Sequence, residues 1–254
     1  MKRLTLRILG LFVLLMISQA LSGQDVPSRR SYFLSGSFMQ IKDAVNYGLV
    51  FRGPAVDFGM EWEFPVGKQV LGYGFQAGAG FMFAKEIAAI DFCVRPVDLS
   101  WSWVIPAGKS VFRAGPALRT QYDLQFYPDL QSGYDFWLTD YAVGIRVAWM
   151  LPSEIGTFRV RLYQSVAGLV SQTPDYTDPY FYDITFGEIV TDMHSGFEPV
   201  SFGRFCNTTA EFTYRFRNHP RLALSYVLDY VSCSTSQRFR MLNQSVRVII
   251  YSKS

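Results

Sequence analysis

From Ala55 to Phe64 the chain alternates strictly, with Val56, Phe58, Met60, Trp62 and Phe64 on one face and Asp57, Gly59, Glu61 and Glu63 on the other. The next run sets Leu71, Tyr73, Phe75, Ala77, Ala79, Phe81 and Phe83 against Gly72, Gly74, Gln76, Gly78 and Gly80. So many glycines would make a poor helix, while the length suits a tilted membrane strand of about 9–11 residues. The same period returns in Leu99/Trp101/Trp103, in Phe112/Ala114/Leu118/Tyr122 and in Tyr141/Val143/Ile145/Val147/Trp149. It continues in Phe158/Val160/Leu162, in Ala210/Phe212/Tyr214/Phe216 and in Leu222/Leu224/Tyr226/Leu228/Tyr230. Each run predicts a strand whose two faces meet different surroundings.

Turn chemistry sets the strand count. Pro65-Val66-Gly67-Lys68, Pro106-Ala107-Gly108-Lys109, Pro152-Ser153-Glu154-Ile155-Gly156 and Asn218-His219-Pro220 are short turns. They alternate with longer connections near 41–53, 85–89, 124–138, 168–200 and 232–238, which gives nine connections and ten strands. The fold class expected is all-β: a closed, up-and-down antiparallel transmembrane β-barrel with both termini on the short-turn side. Trp62, Phe64, Trp103, Trp149, Phe158 and Phe216 stand beside the short turns on the apolar face, where an aromatic girdle belongs. The ending Ser252-Lys253-Ser254 after Val246 to Tyr251 leaves the register of the last strand open.

Composition adds compartment. Lys2, Arg3 and Arg7 precede an apolar stretch from Ile8 to Ile17 and a small-residue site at Ala20-Leu21-Ser22, so residues 1–22 read as a secretory signal peptide and 23–254 as one barrel domain. No Cys stands at that site, and no later run offers about 20 unbroken apolar residues. Without the signal's three cations, Lys+Arg and Asp+Glu balance at 21 each, which argues against nucleic acid as a partner. The whole chain is 49% hydrophobic and 17% aromatic, rich for a soluble sandwich or lipocalin-like barrel. Its basic residues are mainly arginine, 18 against 6 lysines, which suits bidentate pairing with carboxylates in a confined lumen.

On these runs, turns and aromatic positions the chain resembles Gram-negative outer-membrane β-barrel proteins. The phrasing of Tyr127 to Gly133 and Ser165 to Gly168 resembles that of small barrels from Bacteroidota-type bacteria. The resemblance implies short turns in the periplasm, longer loops outside the cell, a place in the cell outer membrane, and outer-membrane lipid and lipopolysaccharide as partners.

The polar faces then define a lumen lined by Asp57, Glu61, Glu63, Asp98, Asp123, Glu211 and Asp229 together with Arg113, Arg119, Arg146, Arg159, Arg161 and Arg215. In a ten-stranded barrel these charges should pair and plug the interior rather than line a wide pore. The fourth long connection has no Lys or Arg between Leu162 and Gly203; Asp175, Tyr176, Asp178, Tyr180, Tyr182 and Asp183, with Trp137 nearby, form an acidic, aromatic binding candidate packed over the barrel mouth. Its acids lack calcium-loop spacing, so neither metal nor cofactor is expected.

Asp192, His194 and Ser195 are the candidates for catalysis. They match incompletely the His-x-Ser pattern of outer-membrane phospholipase A and lipid A deacylase families, because no residue separates His194 from Ser195. Asp192-Met193-His194 resembles half of the omptin protease set, whose second half, an Asp-x-Asp, is absent. Cys206 and Cys233 flank the fourth turn at similar height but with opposite parity, which opposes a disulfide. The expected role is non-enzymatic, in surface binding or within an envelope assembly, with a lipid hydrolase using His194 and a narrow selective channel as alternatives.

Overall fold

The computed structural model describes residues 29–43, 48–128, 136–173, 185–235 and 238–252. The expected signal peptide, residues 1–22, therefore lies outside the described residues. The strands are β1 (Arg29–Asp43), β2 (Val50–Val66), β3 (Gln69–Ala84), β4 (Ile87–Ala107), β5 (Ser110–Phe126), β6 (Phe136–Pro152), β7 (Gly156–Gln172), β8 (Glu198–Ser201), β9 (Phe205–Phe216), β10 (Leu222–Ser234) and β11 (Arg238–Tyr251); one short helix, α1 (Phe186–Asp192), precedes β8. Every pairing is antiparallel, and β1 pairs with both β2 and β11, so the sheet closes on itself. Closure removes the exposed edges that would otherwise recruit other chains. It also settles the last register: Ser31 stands opposite Tyr251 and Asp43 opposite Phe239.

The eleven strand segments make ten wall positions. β7 pairs with β9 between Gly156 and Gln164 and with β8 between Ala167 and Val170, so β8 and β9 occupy one seat, interrupted around 202–204. Gly67 and Gly108 close the Pro-x-Gly-Lys turns at φ 60° and 61°, a left-handed conformation that glycine adopts without penalty. One expected long connection is shorter than its surroundings suggest. β3 and β4 join through Lys85 and Glu86 alone, with Lys85 itself at φ 57°.

Two bulges invert the alternation. At Pro96, β4 advances three residues, from Arg95 to Asp98, while β3 advances two, from Gln76 to Gly74. Asp91, Cys93 and Arg95 therefore face in on one parity, and Asp98, Ser100 and Ser102 face in on the other. Proline suits a bulge because it has no ladder N–H to give. Its carbonyl accepts from the Tyr73 hydroxyl at 3.1 Å. In β7 the extra residue is Val166, which lies between partners Gly144 and Val143 on β6.

Outside, the wall is apolar. Leu34, Phe58, Ile145, Val246 and Ile250 are each more than half exposed, and Trp103, Trp149 and Phe158 mark the short-turn end of this belt. Polar residues, by contrast, are buried within. Asp57, Asp91, Gln121, Asp123, Gln125, Asp140, Asn207 and Glu211 are at most 1% exposed. A polar interior inside an apolar belt is the inverse of a soluble barrel, and it makes this wall a transmembrane barrel of the outer-membrane kind.

Candidate functional site

The lumen carries the densest chemistry. Toward the short turns, Glu211 binds Arg159 at 2.9 Å and Arg161 through Nε at 3.0 Å, and Arg161 reaches across to Glu61 at 3.0 Å. Glu63 holds Arg113 at 3.1 Å and Arg159 at 3.5 Å. Next, Asp98 pairs with both Arg146 and Arg119, the latter at 3.1 Å. The Arg119 guanidinium also lies 4.0 Å from the Tyr163 ring centroid and donates to Thr209 at 2.7 Å and to Asn207 at 3.1 Å. Further along, Asp229 takes Arg95 at 3.3 Å, and Arg247 at 4.0 Å while Arg247 donates to Gln76 at 3.0 Å. These groups come from β2, β3, β4, β5, β6, β7, β9, β10 and β11, so the pairs tie the wall across its diameter.

Ten of the thirteen expected lumen charges meet in these pairs. Asp57 and Asp123 are inside but bond to neutral groups, Asp57 to the Ser35 hydroxyl at 3.0 Å and Asp123 to the Gln121 amide at 2.6 Å. Arg215 departs from expectation. It sits at the short-turn rim, donates to the Pro220 carbonyl at 2.6 Å and lies 4.6 Å from the Tyr251 ring centroid, so solvent rather than a carboxylate meets it there. Sequence reasoning missed Arg95, Arg247, Asp91 and Asp140. Arg247 lies between outward Val246 and Val248, a signal that was available in the alternation.

Spaces of about 30 and 40 Å³ lie among the charges, both bordered by Glu61, Gly74, Asp98, Arg146 and Arg161. Each has room for only a few waters. Toward the long loops the interior changes character: Met39, Ile41, Phe51, Met82, Phe136, Leu138, Phe205, Val231, Phe239 and Met241 form an apolar cluster within the barrel. Phe136 from β6 and Phe239 from β11 stack with centroids 4.9 Å apart, although three wall seats lie between their strands. Between the charges and this plug, the Asp91 carboxylate is fully buried and makes no hydrogen bond at normal distance among the described residues.

The fourth long connection is placed otherwise than expected. Its described part stands on the outer wall, not over the mouth: Ile189 and Met193 pack with Leu124 and Trp137, and the Ser171 hydroxyl reaches the Asp192 carbonyl at 3.4 Å. The outward side chains at the long-loop ends of β5 and β6 form an apolar seat, and α1 covers it. A capping box starts the helix. Thr185 Oγ1 accepts from the Glu188 amide at 3.4 Å, and Glu188 accepts from the Thr185 amide at 2.8 Å, which holds its carboxyl below the ordinary carboxylate range. The Thr185-Phe186-Gly187-Glu188 spacing was the legible signal for this helix. Asp175, Tyr176, Asp178, Tyr180, Tyr182 and Asp183 lie outside the described residues.

His194 follows α1 on the same outer surface. Its Nδ1 lies 2.8 Å from the Val190 carbonyl, and its ring stands 5.4 Å from that of Tyr122, whose hydroxyl is 2.7 Å from that of Tyr141. Ser195 donates to the Asp192 carbonyl at 3.0 Å. His194 and Ser195 thus both bond to helix carbonyls, and the contacts among described residues include no imidazole to serine bond. The three cysteines are unpaired: Cys233 packs into the inner plug, while the Cys206 thiol meets Thr208 at 3.1 Å on the other parity. Cys206 and Cys233 thus stand on opposite faces of the wall.

No protein-family model and no curated protein matches the chain. Among solved structures it is similar to the translocator domain of the autotransporter NalP from Neisseria meningitidis, with 8% identity, coverage of 96% of this chain and 95% of that one, and a TM-score of 0.40. It is also similar to an outer membrane channel from Pseudomonas putida F1, with 6% identity, coverage of 91% and 98%, and a TM-score of 0.39. The transport unit of the autotransporter AIDA-I from Escherichia coli gives 11% identity, coverage of 95% and 97%, and a TM-score of 0.33. Likenesses this distant bear on neither ligand nor activity, and the barrel stands on its own strand pairings.

Proposed function

We propose that this chain is a non-enzymatic outer-membrane barrel with a closed lumen, which works through its long-loop, extracellular end in surface binding or within an envelope assembly. One observation carries the reading. An ion-paired section and an apolar plug lie in series along the lumen, and the spaces of about 30 and 40 Å³ among the charges are each narrow. Hydrated ions do not pass such a section without the pairs separating. In planar bilayers the folded full chain should give no sustained single-channel steps; stable open steps would sink the closed-lumen reading. Those steps would favour a narrow selective channel, a reading supported by the shared lining of the two spaces, which forms a polar path along part of the lumen.

A lipid hydrolase using His194 is the remaining alternative, supported by its position on the outer wall beside Tyr122. Its Nδ1 contact with a carbonyl leaves Nε2 as the basic nitrogen, but Ser195 is turned to the Asp192 carbonyl. Cells carrying His194→Ala should show unchanged lipid A and phospholipid acylation by mass spectrometry. A missing deacylated species would establish the hydrolase instead.

A further inference from the structure

Where the apolar belt ends at the long-loop rim of β11, β1 and β2, the outer face becomes cationic. Lys42 stands directly opposite Arg240, and Arg52, opposite Gln40 and Phe83, lies diagonal to Lys42. Arg238 is two residues from Arg240 on the same face. All four are exposed, and none has an ion-pair partner among the described residues.

Directly opposed residues on neighbouring strands hold their Cβ atoms about 4.5–5.5 Å apart, and diagonal ones about 7–8 Å, so like charges there repel. Among the described residues no ion pair offsets them. The described outward positions of these three strands carry no carboxylate, and the connecting sequences Ala44 to Tyr47 and Ser236 to Gln237 contain no acid. In the ladder Asp43 stands opposite Phe239. On the belt side of Lys42, beyond Gln40, lies Phe38, and Phe83 stands beside Arg52; each is about half exposed. A ligand for this surface therefore carries two or more negative charges, sits at headgroup depth and continues into hydrocarbon.

We infer that this rim docks the phosphorylated headgroup of an outer-leaflet glycolipid of the lipid A class, with Lys42 and Arg240 at its centre and Arg52 and Arg238 flanking it. The inference rests on the outer-membrane placement proposed above. One or two phosphates between Lys42 and Arg240 would turn a repulsive pair into charge-assisted hydrogen bonds, while acyl chains lie along Phe38 and Phe83.

The test uses the folded full chain in detergent micelles, with retained lipid counted by native mass spectrometry. The probes are bisphosphorylated lipid A, the same lipid dephosphorylated, phosphatidylglycerol and inorganic phosphate. Wild type should retain bisphosphorylated lipid A about tenfold better than either the dephosphorylated lipid or the double variant Lys42→Gln, Arg240→Gln, as expected for losing charge-assisted bonds. Arg217→Gln with Arg221→Gln, at the opposite rim, should bind like wild type. Heat-dependent gel mobility checks that each variant is folded. Equal retention by the double variant, or of the dephosphorylated lipid, overturns the site. Phosphatidylglycerol binding as well as lipid A, or inorganic phosphate displacing it, overturns the glycolipid assignment. Absence of the wild-type chain from the membrane fraction would instead defeat the outer-membrane placement.

Discussion

Glu211→Ala should cost about 3–5 kcal/mol of barrel stability, the range for removing one partner from a buried ion pair. The carboxylate is 1% exposed and serves two guanidiniums, Arg159 and Arg161, so its removal leaves both inside the barrel with one acceptor fewer. The spaces of about 30 and 40 Å³ beside these groups have room for only a few waters each. Urea unfolding of the barrel in lipid vesicles reads the change as a lowered midpoint, and gel mobility reads it as loss of the compact form at lower temperature. Glu86→Ala, at the exposed β3–β4 hairpin, should stay within about 0.5 kcal/mol. Equal effects from the two variants would mean that the lumen is wet and the pairing is incidental.

Ile145→Arg asks what lies outside the wall. Ile145 is 53% exposed in the middle of β6, between outward Val143 and Val147. In water an exposed substitution of this kind is worth no more than about 0.5 kcal/mol. At the bilayer midplane an arginine on a barrel's lipid face costs about 2–4 kcal/mol. The same vesicle unfolding assay separates the two, and a neutral result would contradict the membrane reading of the belt.

How much of this was legible follows from what alternation can encode. Where a strand runs unbroken, as β2 does from Ala55 to Phe64, parity alone placed Asp57, Glu61 and Glu63 inside and Phe58 outside. It failed at Pro96. One inserted residue exchanges the faces of β4, so Arg95 and Asp91 could not be assigned from the Leu99/Trp101/Trp103 run beyond the bulge. The plug escaped for a different reason: Phe136, Phe239 and Met241 are apolar residues facing inward, and a rule that equates apolar with lipid-facing cannot see them. The aromatics around the fourth connection suggested a cap over the mouth because composition gives no direction. Only the outward register of Leu124 and Trp137 sends α1 to the side of the barrel.

The ten-seat ring puts β6 five positions from β1. The helix-padded sector on β5 and β6 and the cationic sector on β11, β1 and β2 therefore lie on opposite flanks, and the molecule has a front and a back in the plane of the membrane. Turning it half a revolution about its axis presents a neighbouring protein with chemistry of another kind. Between the two sectors, β3–β4 on one side and β9–β10 on the other are its plain hydrocarbon-facing flanks.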